Sequence, residues 1–268
     1  MRLQRFLAHA GLSSRRGASA LLQTGRVAIN GKVVLEPGAA VDPAVDRVTV
    51  DGHPVAAQAA VYVVLHKPPG TICSTHDPEG RETVLDLVQV PGARLYPVGR
   101  LDYLTSGVLL LTNDGDLAQA LLHPRHGVER TYHVKVQGLL DDDEVHKLAG
   151  GVVIDGQRAQ AKVARLASTG RNLWLEMTLT QGLNHQIHRM LEAINRRVLR
   201  IIRVEFAGVR ADDLAAGKWR ELTNEEVVAL RRLAGASPPK TRPRATASRS
   251  TGGRRAPGAR VKGGRARR

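Results

Sequence analysis

The stretch Gly99-Arg100-Leu101-Asp102-Tyr103-Leu104-Thr105-Ser106-Gly107 sets a carboxylate inside a polar loop, just before the apolar run 108–111. A carboxylate held at the mouth of a buried strand can attack an electrophilic carbon or take a proton. It can also simply close an Asx turn, so the residue type leaves both readings open for Asp102. Asp114, in Asn113-Asp114-Gly115, reads as a turn residue, and Asp116 as the cap of the helix that follows. The Asp-Gly-Asp hints at calcium, but the other loop ligands are missing. Tyr132 alternates along an extended stretch, 129–136, as a half-buried sheet aromatic does. His185 and His188 stand three apart, yet no cysteine and no spaced carboxylate completes a zinc set, so no metal is expected. In the same segment Ile187, Met190, Leu191 and Ile194 fall at i, i+3, i+4 and i+7 and make a core face. His188 then sits at the boundary of that face, and Arg189 points away from it.

The elements that must position these groups are readable from periodicity. Runs rich in Val, Leu and Ile at 61–66, 107–112, 131–137, 172–180 and 198–206 read as strands. Helical patterns fall near 82–88, 116–122, 141–149, 185–195 and 223–234. Strands separated by turns, interspersed with helices, imply an α+β domain over 61–236 with a mainly antiparallel sheet. Residues 1–53 form a separate small module. Leu3, Phe6, Leu7 and Ala10 recur at helical spacing, Ser13 or Ser14 caps a second helix running to about residue 24, and 26–34 is a hairpin around Asn30-Gly31. The uncharged stretch 54–60 reads as a linker.

The chain of 268 residues carries a formal net charge of +15, a balance that points to a polyanion such as nucleic acid. Eleven Lys or Arg and no acid lie in 238–268, which leaves only +4 for the rest. The composition of 237–268 cannot offset its ordering entropy by burial and implies a disordered basic tail. One cysteine, Cys73, excludes an intrachain disulfide and fits a reducing compartment, where it packs as a small apolar residue. No run approaches the length of a membrane span, and the start leads into no secretory signal, so the chain reads as soluble and cytoplasmic with no membrane partner.

Two blocks of sequence carry a family resemblance. "LQRFLAHAGLSSRRGASALLQTGRVAINGKVV" resembles the alpha-L RNA-binding module shared by a ribosomal small-subunit protein and several RNA-modifying enzymes. That likeness implies an RNA-binding surface built with Arg15, Arg16, Arg26 and Lys32. "GRLDYLTSGVLLLTNDGDLAQALLHP", with "KPPG", "DPEGRETVLDLV", "ERTYHVKV" and "QGLNHQIHRMLEAI" in order, resembles the bacterial ribosomal-RNA pseudouridine synthases of the RsuA type, which include RluB, RluE and RluF. "GKWREL" resembles a C-terminal packing block of the same enzymes. The resemblance implies isomerisation of a uridine, with Asp102 catalytic, Tyr132 against the uracil, Arg100 and Arg189 toward RNA, and no cofactor. It implies 23S rRNA, or the pre-ribosomal large subunit, as partner of a monomeric enzyme. His188 departs from the pattern, since the family usually has Arg or Lys there to pair with the Asp. Two rival readings are a non-catalytic ribosome-assembly factor, in which Asp102 is dispensable, and a ribonuclease using His123, His126, His185 and His188, which would cleave the chain.

The tail gives the first test. Deleting 237–268 is expected to leave the melting temperature unchanged and to weaken RNA binding at low salt, with a shallower dependence on salt because fewer counterions are released. A large fall in melting temperature on calorimetry would show instead that the tail belongs to the fold.

Overall fold

The structure, a computed structural model, describes residues 1–235. The expected tail, 237–268, lies outside the described residues. The N-terminal module begins with α1 (Leu3–His9) and α2 (Arg15–Gln23), followed by β1 (Val27–Ile29), β2 (Lys32–Val33), β3 (Val48–Val50) and β4 (His53–Pro54) in a sheet of order β2-β1-β3-β4. Ser14 caps α2, its hydroxyl accepting from the Gly17 N–H at 3.0 Å. Asn30 and Gly31 both take positive φ, 52° and 80°, the backbone that a two-residue hairpin turn demands. Leu3, Phe6, Leu7, Leu22, Val27 and Val48 close a small core of their own. Pro54 still pairs with Thr49 and the Val55 N–H donates to Val48, so the module runs slightly past residue 53 and only 56–60 is plain connection.

The second part holds β5 (Tyr62–Lys67), α3 (Val84–Leu87), β6 (Tyr96–Pro97), β7 (Ser106–Thr112), α4 (Gly115–Leu122), β8 (Arg130–Val136), α5 (Asp142–Gly150), β9 (Val152–Ile154) and β10 (Gln157–Ala159). It continues through β11 (Lys162–Thr169), β12 (Asn172–Leu179), α6 (Gln186–Glu192), β13 (Val198–Phe206), β14 (Val209–Arg210), β15 (Trp219–Glu221) and α7 (Asn224–Leu233). The main sheet runs β11-β12-β8-β13-β7-β5-β15, with β6 on β7 and β14 on β13. Among the strand pairs of the described residues, only β7–β13 is parallel. Long strands appear where the sequence pattern predicts them. The short β6, β9, β10, β14 and β15 lack enough residues to show a period, and β11 is exposed along most of its length, so its pattern has no buried side to read.

Alternation along the central strands assigns their two faces. Val63 and Leu65 of β5 join Leu109 and Leu111 of β7 in one core; Val64 joins Val108 and Leu110 in another, beneath α4 and α7. With both faces covered, β7 is buried at every position, as a continuous apolar run requires. Helix α4 corrects one expectation. Its N-cap is Asp114, whose carboxylate accepts from the Asp116 and Leu117 N–H groups, while Asp116 falls in the first turn and pairs with Arg5 of α1. The cap can sit two residues earlier because Gly115 enters the helix directly, so the turn and the cap are one residue. Asp114 also accepts from Arg231 of α7 at 2.6 Å and from the Tyr62 hydroxyl at 2.9 Å, which ties helix, strand and C-terminal helix together. No helix among the described residues is long and apolar enough to cross a membrane.

The parallel β7–β13 contact brings two backbones close together at Gly107. Gly107 takes φ +108°, and a Cβ there would lie 2.1 Å from the Arg203 carbonyl oxygen. Gly107→Ala therefore meets fixed backbone as well as a φ that L residues avoid. It is expected to cost at least ~3 kcal/mol, read as a lowered denaturation midpoint; an unchanged midpoint would refute the close packing.

Candidate active site

Asp102 sits in the loop that leads into β7, and that loop is fixed from beneath. Lys67, at the end of β5, is fully buried, and its ammonium donates to the carbonyls of Thr105 (2.9 Å), Pro68 (3.0 Å), Tyr103 (3.2 Å) and Asp102 (3.3 Å). Burial pushes the Lys67 ammonium below its usual pKa, while Cys73 and Asp102 oppose that shift. The Gly70 N–H adds a bond to the Tyr103 carbonyl at 2.8 Å, and the Thr105 N–H turns back to the Asp102 carbonyl at 3.0 Å. Cys73 is more than an apolar filler: its sulfur accepts from the Leu101 N–H at 3.3 Å, and burial raises its thiol pKa. With its backbone held on both sides, Asp102 presents a side chain that is 42% exposed.

The carboxylate faces a cleft of about 360 Å³, a size that accommodates one small ligand. Tyr132 lines it from β8 and Arg203 from β13, and the sheet register makes these two direct cross-strand partners. Arg203 is 2% exposed. Its Nε donates to the Val108 carbonyl at 2.7 Å, its guanidinium lies 4.9 Å from the Phe206 ring centroid, and its Nη2 has no hydrogen-bond partner among the described residues. A buried polar atom without a partner is unusual in a folded protein, and this one belongs to a side chain that lines the cleft. Arg130 also lines the cleft and lies over the same Phe206 ring at 5.2 Å. Burial lowers its pKa. Arg100 is exposed at the rim.

The opposite wall is the start of α6, and it corrects the sequence reading in three ways. The imidazole beside Asp102 is that of His185, whose Nδ1 lies 3.4 Å from Oδ2; His188, expected in that role, is half-buried one turn on. His185 takes a left-handed backbone, φ 49°, just ahead of α6, so helical phase never governed where its ring points. Next, the carboxylate that no spacing supplied arrives through the fold: ligand-type atoms of Asp102, His185 and His188 lie within 4.8 Å of one another. Finally, Arg189 does not point into open solvent but is half-buried against β9 and pairs with Asp155, at the turn into β10. Sequence reasoning also missed Arg203, although a charged residue inside the apolar alternation of 198–206 is itself a signal.

In the N-terminal module Arg16 and Lys32 are exposed, and Arg26 is held by Asp51, with its Nε 2.9 Å from Oδ1. Arg15 opens α2, and its side chain lies outside the described part of the structure.

Comparison with known proteins follows the same division. The RNA pseudouridylate synthase family profile matches residues 61–193, and the S4 domain profile matches residues 1–46. The chain is 41% identical to "Ribosomal large subunit pseudouridine synthase B" of Bacillus subtilis (strain 168), over 87% of this chain and 96% of that one. It is 39% identical to the Escherichia coli (strain K12) protein of the same name, over 90% of this chain and 85% of that one. Among solved structures, "Crystal structure of pseudouridylate synthase" superposes with a TM-score of 0.62 at 27% identity, over 86% of this chain and 99% of that one.

The Lys67 anchor generates a prediction. Lys67→Met leaves the loop carbonyls without their donor, and charged hydrogen bonds of this kind are worth about 1.5–3 kcal/mol each. The melting temperature is expected to fall by roughly 10 °C, given ~2–4 °C per kcal/mol at this size, and turnover to fall with it. Retention of both by the variant would show that Lys67 does not hold the loop.

Proposed function

The chain belongs to the RNA pseudouridylate synthase family, with an S4 domain at its N-terminus, and on that premise we propose that it converts a uridine of large-subunit 23S rRNA to pseudouridine with Asp102 as the catalytic carboxylate. The observation that carries this assignment is the placement of Asp102. It is an exposed carboxylate on a pinned loop, at the mouth of a nucleoside-sized cleft whose walls are Tyr132, Arg203 and His185. The relatives named for the large ribosomal subunit support the substrate.

The isomerisation breaks the N1–C1′ bond, turns the uracil and joins C5 to the same C1′. The carboxylate of Asp102 starts it at the ribose, as nucleophile on C1′ or as base on the 2′ carbon. In the first route an ester to C1′ forms as uracil leaves with the bonding pair; C5 then displaces the carboxylate, C5 gives up its proton and N1 takes one up. In the second, the carboxylate takes the 2′ proton as uracil leaves C1′ with the bonding pair, giving a glycal; C5 then bonds to C1′ as the 2′ carbon regains its proton, and the C5 proton is again exchanged for one on N1. Both require the nucleotide out of its helix, because A-form stacking hides C1′ and C5. Tyr132 offers a face for the extruded base. Arg203, whose side chain lines the cleft and keeps one guanidinium nitrogen unpartnered, is the residue this reading assigns to a uracil carbonyl. His185 orients the carboxylate, and His188 stands one turn behind it. Around the cleft, Arg100 meets phosphate, as do Arg16, Arg26 and Lys32 on the N-terminal module, with Arg15 beside them and Arg189 at the α6 flank. In this reading the N-terminal module, 1–55, binds RNA, 56–60 connects, and 61–236 is catalytic. Geometry also weighs against the ribonuclease alternative, since His123 and His126 lie outside the cleft that holds His185 and His188.

Asp102→Asn is nearly isosteric and removes the charge. It is expected to abolish pseudouridine formation in rRNA, measured by carbodiimide-dependent primer extension, while melting temperature and RNA affinity stay at wild-type values. Normal product formation by the folded variant would end the assignment.

A further inference from the structure

Asp102, His185 and His188 make a three-residue ligand set that the proposed isomerisation does not use as such. We propose that this set captures a borderline-soft divalent transition metal ion, of the zinc class, which switches the enzyme off by occupying Asp102. The inhibitory part rests on the catalytic role given to Asp102; the binding part does not.

The geometry is close to what the ion needs. Zinc holds imidazole nitrogen and carboxylate oxygen at about 2.0–2.2 Å, which sets tetrahedral ligands about 3.4 Å apart. His185 Nδ1 and Asp102 Oδ2 already stand 3.4 Å apart, and the ligand atoms of the trio all lie within 4.8 Å of one another. Closing the remainder takes side-chain rotation only, and the side chains of His185 and Asp102 are 52% and 42% exposed, with room to turn. The backbone beneath Asp102 is fixed by Lys67, so the carboxylate is presented rather than recruited. Three protein ligands leave a fourth position open toward the cleft, the arrangement of an accessible metal site rather than a structural one.

The chemistry of the set also selects the ion. Two imidazoles and one carboxylate suit zinc, cobalt(II) and nickel(II), whereas magnesium and calcium favour all-oxygen shells. Arg203 and Arg130 line the same cleft and raise the local positive potential, which penalises any cation lacking strong nitrogen bonds. Magnesium, present wherever RNA is folded, is thus excluded while zinc is admitted. An arginine or lysine at position 188 would remove one ligand and add a repelling charge, so the site depends on the imidazole at that position. Once bound, the ion engages the lone pairs of Asp102 that the ribose chemistry requires.

The test uses the full chain. Titration with cobalt(II) is expected to give one equivalent of binding with the visible absorption of a four-coordinate nitrogen and oxygen site, and zinc is expected to displace it. His185→Gln and His188→Ala should each weaken cobalt uptake at least ~10-fold, as loss of a ligand must exceed the effect of losing an outer-shell partner. His123→Gln/His126→Gln, a second His-x-x-His pair that no carboxylate completes among the described residues, should leave uptake unchanged. Zinc at saturation should stop pseudouridine formation, and EDTA should restore it, while magnesium does neither. Wild-type uptake by His185→Gln and His188→Ala would overturn the site and leave the role of Asp102 standing. Uptake at the site with turnover undiminished under saturating zinc would overturn inhibition, and with it the role of Asp102, but not the site.

Discussion

The buried ammonium of Lys67 is the point from which the cleft is built. An ammonium has three donors and here faces four backbone carbonyls, three of them in the 102–105 loop. Burying a cation is expensive unless every donor is satisfied. The loop cannot drift without leaving that charge unpaired, so the cost of burial becomes the rigidity of the loop. The strand end of β5 and the loop before β7 are thus locked together around one atom. The Asp102 side chain gains a defined position without being buried itself.

The second constraint is the parallel seam between β7 and β13. Residues about a hundred positions apart meet there, and the close approach depends on Gly107 having no side chain. The seam brings Arg203 beside the Asp102 loop, and its Nε bond to the Val108 carbonyl spends one donor to aim the rest of the guanidinium. Because β8 pairs with the other edge of β13, Tyr132 follows as the cross-strand neighbour of Arg203. One glycine therefore sets the approach of the strand that follows the carboxylate's loop to the strands that carry the cation and the aromatic.

Much of this architecture was legible in the sequence, for an identifiable reason. The long central strands and the helices at 142–150 and 224–233 carry full periods of apolar residues, and burial then acts on the pattern as written. Asp102 and Tyr132 were legible because they stand inside blocks with a known resemblance. Lys67 and Arg203 were not, because a charged side chain in an apolar strand reads as an interruption until the partners that satisfy it are in view. His185 escaped because periodicity assumes helical backbone, and its left-handed φ breaks the assumption one residue before α6 begins. Asp114 and Asp116 were exchanged because both types cap helices, and only the backbone at Gly115 decides between them.

The same distinction between charge and partner governs how the protein meets RNA. Counting cations treats Arg16, Arg26, Lys32, Arg100 and Arg189 alike. In the fold, Arg26 is engaged by Asp51 and Arg189 by Asp155, while Arg16, Lys32 and Arg100 are exposed. Exposed ion pairs are worth only about 0–1 kcal/mol and are screened by salt, whereas a backbone phosphodiester offers two non-bridging acceptor oxygens and releases counterions when it binds. Such a pair can therefore be exchanged for a phosphate at little cost. The Asp51 carboxylate holds the Arg26 guanidinium in place, and an ordered side chain loses less entropy on binding than a free one. A paired surface arginine is thus not withdrawn from recognition but held ready for it.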